Sequence, residues 1–375
     1  MSGTSLDGLD IALCNISGTG GQTVLQLEAF KTVFYPDEVS EKLRQIVSVE
    51  EVSLQQVCLL NSWLGDYHAD LILETLVKWE IEPNTVDCIA SHGQSIYHAP
   101  FSRHRQKQMP NATLQIGDGD HIARQTGILT LSDFRQKHTA AGGEGAPMVA
   151  LIDEMLYGNA DRSRLLLNIG GIANFSYLPS GDASQEALTT DIGPGNTLID
   201  SAMQHLFDKA FDENGAVAAS GTVQPTLLKS MSNDDFFELP LPRTTGPELF
   251  NLSWVQNHQE KAGGKDISNE DMIATLTWLS AQTIAGAVRE VCGDDQPEVY
   301  LSGGGMHNNQ LVQWIEKLLE QRGHSFAEIG FNPDAKEAVC FAVLANEALS
   351  GEAFTINPKQ NAARRVNFGK ISLPV

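Results

Sequence analysis

An apolar run, Leu165-Leu166-Leu167-Asn168-Ile169, stops abruptly at Gly170-Gly171. Such a run predicts a buried β-strand, because strands are short and are bounded by turn residues. A second run, Val299-Tyr300-Leu301, ends in the same way at Ser302-Gly303-Gly304-Gly305, and a helix is predicted after it around 311–319. Strands that alternate with helices in this manner predict an α/β fold.

Apolar residues at helical spacing between 52 and 79 predict two helices. Residues 86–90 predict a short strand that leads into the polar loop Ser91-His92-Gly93-Gln94. Ser268 is the predicted N-cap of the longest helix, which runs to Cys292. We place two domains at 1–130 and 131–375, and we expect the last helix to pack back on the first domain.

The composition is that of a globular protein with a strong negative charge. The chain has 375 residues, 42% of them hydrophobic, and 25 basic against 47 acidic side chains give a net charge of −22. This charge repels phosphate backbones and anionic lipid, which argues against nucleic-acid and membrane partners. Five widely spaced cysteines, with no signal peptide and no membrane-spanning run, predict a reducing cytoplasm.

Three predicted turns share one composition. The segment Gly3-Thr4-Ser5-Leu6-Asp7-Gly8 is rich in glycine and hydroxyl groups, like the turns at 168–171 and 302–305. Glycine lets backbone N–H groups converge on a phosphate, whereas the alternative is that glycine only ends each strand tightly. The chain has neither a GxxxxGK[ST] loop nor a convincing GxGxxG fingerprint, so phosphate binding would depend on backbone and hydroxyl donors with a metal ion.

Three aspartates are candidates for chemistry. Asp7 and Asp10 lie in and just after the first turn, where they suit a Mg²⁺ or water ligand, or a turn cap. Asp191 lies in Thr190-Asp191-Ile192-Gly193-Pro194-Gly195-Asn196. A carboxylate at such a turn suits a general base, and it equally suits a structural acceptor for the N–H groups of the turn.

The polar loop at 91–94 and the segment Asp133-Phe134-Arg135 are candidate binding elements. The adjacent Ser91 and His92 do not form a catalytic triad readily, so His92 is a donor to a polar ligand, a catalyst or a structural histidine. Arg135 suits a bidentate contact with a substrate carboxylate, and the alternative is a solvated surface arginine.

Seven segments cover nearly the whole chain in a fixed order: MSGTSLDGLD at 1–10, SHGQ at 91–94, DFR at 133–135, AAGGEGAP at 140–147, LNIGGIAN at 167–174, DIGPGN at 191–196 and LSGGG at 301–305. Together they resemble the anhydro-N-acetylmuramic acid kinase family. The resemblance implies an actin-like (ribonuclease H-like) ATPase fold of two α/β domains, with ATP in the cleft between them. It also implies a cytoplasmic enzyme of cell-wall recycling, and a homodimer suits the family.

The family opens the 1,6-anhydro ring of anhydro-N-acetylmuramic acid with water and phosphorylates the released 6-oxygen from ATP. The resemblance therefore implies ATP and Mg²⁺ as cofactors and Asp191 as the base that activates water. The implied nucleotide-binding residues are Gly3, Thr4, Ser5, Leu6, Asp7, Gly8, Leu9, Asp10, Asn168, Gly170, Gly171, Gly303, Gly304 and Gly305. The implied substrate-binding residues are Ser91, His92, Gln94, Arg135 and Asn196, and the implied metal ligands are Asp7 and Glu337.

Two other functions fit the same residues. In an ordinary amino-sugar kinase, Asp191 would deprotonate a free hydroxyl, and in a nucleotide-gated sugar sensor both ligands would bind without turnover.

Family members carry several residues before the segment at 1–10, as the strand that delivers the phosphate loop, so we expect the natural start to lie upstream of Met1.

Overall fold

The computed structural model describes residues 1–2, 6–145, 148–181, 187–246, 249–263, 266–330, 332–356 and 364–375. Its strands are β1 (Gly8–Ser17), β2 (Val24–Phe34), β3 (Ile89–Ser91), β4 (Gln94–Ala99), β5 (Ala112–Ile116), β6 (Thr130–Ser132), β7 (Arg164–Ile169), β8 (Ile172–Leu178), β9 (Leu188–Pro194), β10 (Glu298–Ser302), β11 (Gly323–Ser325), β12 (Phe354–Ile356), β13 (Arg364–Val366) and β14 (Lys370–Ser372). Its helices are α1 (Asp37–Arg44), α2 (Leu54–Lys78), α3 (Phe101–His104), α4 (Gly119–Thr126), α5 (Phe134–Ala140), α6 (Val149–Tyr157), α7 (Thr197–Phe207), α8 (Ala216–Ser220), α9 (Pro225–Ser232), α10 (Leu252–Lys261), α11 (Asn269–Cys292), α12 (Asn309–Leu319) and α13 (Lys336–Ser350). Within the described ranges, no helix combines the length and the apolar composition that crossing a bilayer requires.

The chain divides into two compact units. The first is formed by Met1–Leu156 with Asp334–Val375, and the second by Tyr157–Pro333. This division differs from the boundary placed at residue 130 from the sequence. The reason is strand pairing, because β6 begins at Thr130 and pairs with β3 and β14 of the first unit. The last helix, α13, also lies in the first unit and packs against β1 and β3.

The first unit combines short sheets with one long helix. β1 and β2 form an antiparallel hairpin, β4 and β5 form another, and Ser2 makes bridges to both hairpins. Helix α2 is continuous, whereas the sequence predicted two helices in this stretch. Gly65 interrupts the apolar pattern within this helix. It is a packing position, since a Cβ there would lie 2.7 Å from the Asp118 carbonyl oxygen.

The second unit is built on a five-stranded mixed sheet in the order β11-β10-β7-β8-β9. β10 runs parallel to β7 and to β11, whereas β7, β8 and β9 form an antiparallel meander. The predicted strands at 165–169 and 299–301 are confirmed, with Leu165 and Leu167 fully buried. Helix α11 packs on this sheet, and its predicted N-cap is confirmed, because the Ser268 hydroxyl accepts a hydrogen bond from the Asp271 N–H at 3.1 Å.

Removing the cation of a buried ion pair should destabilise the first unit. The Lys336 ammonium on α13 lies 2.9 Å from the Asp153 carboxylate on α6, and the Asp153 side chain is 1% exposed. Lys336→Met removes this cation from the buried ion pair, which we expect to lower the free energy of unfolding by about 3–5 kcal/mol. The measurement is urea unfolding followed by circular dichroism. Lys78→Met is the matched control, because Lys78 pairs with Glu74 on the surface and should cost less than about 1 kcal/mol.

Candidate active site

Three turns of the second unit lie at one edge of its sheet. β7 and β10 are parallel neighbours with Asn168 opposite Ser302, and β9 is parallel to β7 across the intervening antiparallel β8. Their carboxyl ends therefore share an edge, where the turns at 168–171, 193–196 and 302–305 are located. Ligands of open α/β sheets commonly bind at this edge.

Two of these turns are joined by backbone hydrogen bonds. The N–H of Gly195 donates to the Gly171 carbonyl and the N–H of Asn196 donates to the Gly170 carbonyl, each at 2.8 Å. A Cβ at Gly195 would lie 2.3 Å from the Gly170 carbonyl oxygen, so a side chain at 195 would force the turns apart. Asn196, an implied substrate ligand, also uses its side chain here, since its Nδ2 donates to the Ile169 carbonyl at 3.2 Å.

The glycines of these turns are of two kinds. Cβ atoms at Gly303 and Gly305 would lie 2.6 and 2.3 Å from side-chain atoms of β7, so tight packing accounts for both glycines. At Gly304 a Cβ would meet no atom within 4 Å, and at Gly170 and Gly171 the nearest atoms would be 3.4 and 3.8 Å away. No steric conflict requires glycine at these last three positions, and there the backbone is open to a ligand such as phosphate.

Asp191 lies in β9 next to a β-bulge. Ala173 pairs with Gly193 and Asn174 pairs with Asp191, which leaves Ile192 as the extra residue of the bulge. A bulge re-aims the neighbouring side chains. The Asp191 side chain is partly exposed, its Oδ2 accepts the Thr245 N–H at 3.0 Å, and its Oδ1 has no hydrogen-bond partner among the described residues.

The surroundings of Asp191 favour proton acceptance. Burial raises the pKa of the Asp191 carboxyl, and the hydrogen bond from Thr245 opposes that effect by lowering the pKa. A carboxylate with a raised pKa accepts a proton more readily. One oxygen is held by the backbone while the other is free, which is the arrangement that a general base requires.

The polar loop of the first unit is fixed from both sides. Gly93 has a φ of +71°, and a Cβ there would lie 2.4 Å from the Ile116 carbonyl oxygen. Ser91 is buried, and the fully buried Gln94 accepts a hydrogen bond from the Ser2 hydroxyl at 2.5 Å through its Oε1. These contacts restrain the loop, and the Oε1 of Gln94 takes part in them.

The buried His92 and the half-buried Arg135 form a hydrogen-bonded pair. His92 Nδ1 donates to the Gly93 carbonyl at 2.8 Å, so His92 Nε2 accepts the Arg135 Nε–H, also at 2.8 Å. Burial and then the Arg135 charge lower the pKa of His92 well below its usual value, which keeps the ring neutral. Because both ring nitrogens are engaged, His92 acts on Arg135 and is not free to act as a base. The terminal Nη atoms of Arg135 have no hydrogen-bond partner among the described residues.

Glu337 lies in the first turn of α13 and belongs to the same charged cluster. Burial raises the pKa of Glu337, Arg135 lowers it, and Asp10 raises it further. The Glu337 side chain keeps contact with solvent, so dense protein around it, rather than full enclosure, raises the pKa. Asp10 itself lies within β1, where its Oδ1 accepts the Thr32 hydroxyl at 2.6 Å.

The first predicted phosphate loop is only partly described. Residues 3–5, with the implied ligands Gly3, Thr4 and Ser5, lie outside the described residues, as do residues 146–147 of the segment at 140–147. Leu6 and Leu9 belong to the apolar core of the first unit, so only their backbone atoms are available to a nucleotide. Gly8 begins β1, so the turn itself ends at Asp7.

The implied metal ligands remain a prediction. In the part of the chain that the structure describes, no three His, Cys, Asp or Glu side chains are grouped as a metal site. Asp7 and Glu337 therefore do not belong to a cage of protein ligands there. A nucleotide-bound Mg²⁺ needs only one or two carboxylates, because phosphate oxygens and water supply its other ligands.

A hydrogen-bonded network that was not predicted from the sequence lies behind Gln94. The Tyr35 hydroxyl donates to Ser2 Oγ at 3.0 Å, so the Nε2–H of His68 must donate to the Tyr35 oxygen, at 2.7 Å. Burial lowers the pKa of His68 to about 3, so this histidine is neutral. The spacing of these residues along the sequence gives no signal for the network, because Ser2, Tyr35, His68 and Gln94 come from separate elements.

Comparison with known proteins identifies the family of this chain. The model of the family described as anhydro-N-acetylmuramic acid kinase matches residues 1–373. A relative of that name from Pseudoalteromonas atlantica is 45% identical over 378 residues, which is 100% of this chain and 94% of the relative. One from Caldanaerobacter subterraneus is 38% identical and covers 100% of this chain and 96% of the relative. A gluconate kinase structure from Lactobacillus acidophilus covers 80% of this chain and 56% of its own at 12% identity and a TM-score of 0.36, too low to support an argument.

The mixed sheet, the turns at its carboxyl edge and the family match define an α/β phosphotransferase. The match over residues 1–373 and the identity of 45% show that the chain belongs to the anhydro-N-acetylmuramic acid kinase family. The predicted α/β class and the resemblance to this family are therefore confirmed.

Gly195→Ala should separate the two joined turns. The new Cβ would overlap the Gly170 carbonyl oxygen, and we expect a loss of about 1–3 kcal/mol in the free energy of unfolding. The matched control is Gly286→Ala on the exposed side of α11, where a Cβ meets no atom within 4 Å. This control should stabilise the protein by about 0.5–1 kcal/mol, because alanine favours a helix over glycine. Thermal unfolding measures both, and equal midpoints would contradict the prediction.

Proposed function

We propose that this protein opens the 1,6-anhydro ring of anhydro-N-acetylmuramic acid with water and transfers the γ-phosphoryl group of ATP to the released 6-oxygen. The product is N-acetylmuramic acid 6-phosphate, an intermediate of cell-wall recycling. The proposal depends on the carboxylate of Asp191. Its Oδ2 is held by the Thr245 N–H, and its Oδ1 is free at the edge of the sheet where the glycine turns lie. Membership of the kinase family supports ATP as the phosphoryl donor.

Asp191 supplies the base of the reaction. Its free Oδ1 takes a proton from the water that attacks the anomeric carbon, and the water oxygen becomes the 1-hydroxyl of the sugar. The bond between the anomeric carbon and the 6-oxygen breaks, and the released 6-oxygen attacks the γ-phosphorus while ADP leaves. General-base assistance of this kind is typically worth ~10² to 10⁴ in rate.

The backbone of the open glycines supplies electrostatic stabilisation of the phosphate groups. We assign phosphate contacts to the backbone at Gly170, Gly171 and Gly304, because a ligand can approach there without meeting a side chain. Preorganised N–H donors stabilise the charge that develops on the transferred group. Asp7 and Glu337 are the carboxylates that we assign to Mg²⁺, which would supply further charge neutralisation when bound with ATP.

Arg135 is the proposed partner of the sugar's lactyl carboxylate. Its Nε is fixed by His92, which leaves both Nη groups as a pre-oriented fork for a carboxylate. His92 therefore acts as a positioning residue for Arg135.

We also place the reaction in the cytoplasm, because all five cysteines are free thiols, as a reducing compartment requires. A homodimer remains a proposal that rests on the family.

Replacing the base should abolish turnover. With Mg-ATP and anhydro-N-acetylmuramic acid in ¹⁸O-labelled water, we expect the wild-type protein to release a 6-phosphorylated sugar that carries the label at its anomeric carbon. Asp191→Asn keeps the size of the side chain but removes its basicity, so kcat should fall at least about 10²-fold while ATP still binds. Mass spectrometry and calorimetry provide the two measurements.

The same assay separates the alternatives. An ordinary amino-sugar kinase would phosphorylate N-acetylglucosamine without incorporating the label, and a sensor would bind both ligands without releasing ADP. Either result would contradict the proposed function.

Arg135→Met should weaken binding of the carboxylate. We expect KM for anhydro-N-acetylmuramic acid to rise about 10- to 100-fold, because a charged hydrogen-bonded contact contributes roughly 1.5–3 kcal/mol. The comparison substrate is 1,6-anhydro-N-acetylglucosamine, which has no lactyl carboxylate. Steady-state kinetics should show a much smaller change with that sugar, and an equal change with both sugars would exclude the assigned role.

A further inference from the structure

We propose that Arg243 is the positioning residue of the Asp191 base, because it clamps the segment 236–245 onto β9 and so places the Thr245 N–H on the carboxylate. This inference rests on the proposed function, since it concerns the step that Asp191 performs. It assigns a role to a residue that the sequence analysis did not select.

The backbone of Arg243 pairs directly with Asp191. The Asp191 N–H donates to the Arg243 carbonyl at 3.0 Å, and the Arg243 N–H donates to Thr190 Oγ1 at 3.0 Å. β9 is an edge strand of its sheet, so this bridge covers the edge at the base. Two residues further along the chain, Thr245 donates its N–H to Asp191 Oδ2. A shift of the bridge would therefore move the only hydrogen bond that the structure shows to this carboxylate.

The guanidinium of Arg243 holds both sides of the bridge together. Nη1 donates to the carbonyls of Phe236, Phe237 and Leu239 at 3.2, 3.1 and 3.1 Å. Nη2 donates to the carbonyl of Ile192 at 2.8 Å, and Ile192 is the extra residue of the bulge beside Asp191. One planar group thus joins the bulge to the segment that carries Thr245.

Arg243 makes these contacts without an acidic partner. Its guanidinium lies 4.6 Å from the centroid of the Phe236 ring, and none of the ion pairs found among the described residues includes Arg243. Burial lowers the pKa of Arg243, while Glu290 raises it. The two Nη groups of Arg243 therefore donate to backbone carbonyls. A lysine ammonium is a compact point charge that cannot span both sides in the same way.

The pKa of Asp191 reports whether the clamp is in place, because it depends on the hydrogen bond from Thr245. Burial raises the pKa of Asp191, the Thr245 bond lowers it, and no charged side chain of the described residues contributes. The clamped segment carries Glu238, α7 carries Asp200, and α11 carries Glu270, Asp271 and Glu290. Burial raises the pKa of Asp200 to about 6. Loss of the Thr245 bond removes an influence that favours the ionised form, so the pKa of Asp191 should rise.

The test compares Arg243→Lys and Arg243→Met with the wild-type protein. We expect kcat to fall roughly 10- to 100-fold, the cost of misplacing a catalytic group by about 1 Å, with KM for sugar and ATP nearly unchanged. The acid limb of the kcat profile should move to higher pH, because activity is lost as pH falls through the raised pKa of Asp191. Arg162→Met is the matched control, since Arg162 is an exposed arginine of the same unit that pairs with Glu298. It should keep the wild-type profile.

Thr245→Pro and Thr245→Ala provide a second comparison. Proline removes the N–H donor and alanine keeps it, so proline should lower kcat further and shift the acid limb more. If circular dichroism shows that the Arg243 variants are unfolded, this pair of Thr245 variants provides the test. Equal profiles for the two Thr245 variants, or wild-type kcat and pH dependence in folded Arg243 variants, would overturn the inference.

A readout that is independent of turnover separates this inference from the proposed function. NMR titration of ¹³C-labelled aspartate carboxyl groups, with Asp191→Asn for assignment, reports the pKa of Asp191 in the full chain. An inactive wild-type protein in which Arg243→Met still raises this pKa would refute the function but keep the clamp. An active wild-type protein in which Arg243→Met leaves the pKa and kcat unchanged would refute the clamp alone.

Discussion

The backbone hydrogen bonds between the turns at 168–171 and 193–196 are the constraint on which the site of the second unit depends. They direct the carbonyls of Gly170 and Gly171 toward Gly195 and Asn196. In a planar trans peptide the carbonyl and the following N–H point in opposite directions, so the N–H of Gly171 faces away from the second turn. The same contact fixes where β9 ends and α7 begins. Close approach of two backbones therefore produces both the position of the aspartate strand and the open donors.

Two half-buried arginines show how the protein uses one chemical group in two ways. Arg243 donates to four backbone carbonyls from its Nη atoms and holds structure. Arg135 instead donates its Nε–H to a neutral His92, and its Nη groups have no hydrogen-bond partner among the described residues. The difference follows from the partners that the fold supplies, because both guanidinium groups lose much of their hydration. The same charged group is thus bound to backbone carbonyls in the second unit, whereas in the first unit we propose that it binds a substrate carboxylate.

Much of the fold was predictable because it depends on local patterns. The strand at 165–169, the strand at 299–301 and the capped helix that ends at Cys292 are confirmed, since apolar runs and cap residues act over a few positions. The continuity of α2 was not predictable. Gly65 indicates a break when it is judged by helix propensity alone, and only its packing against the Asp118 backbone explains its presence.

The candidate site likewise contains residues that could be predicted from local sequence patterns and residues that could not. Asp191, Arg135 and the glycine turns could be selected from the sequence, because their residue types are unusual for their positions. Arg243, Thr245, Tyr35 and His68 could not, since each acts through a partner that is distant along the chain.

The sequence by itself determined the α/β class and the family and supplied the candidate site residues, because these depend on composition, periodicity and short motifs. The tertiary structure alone decided which glycines are open and which are packed. It also decided that His92 supports Arg135 and that Thr245 reaches Asp191. The physical reason is that hydrogen bonds and van der Waals contacts act over a few ångströms in space, whatever the separation of the residues along the chain.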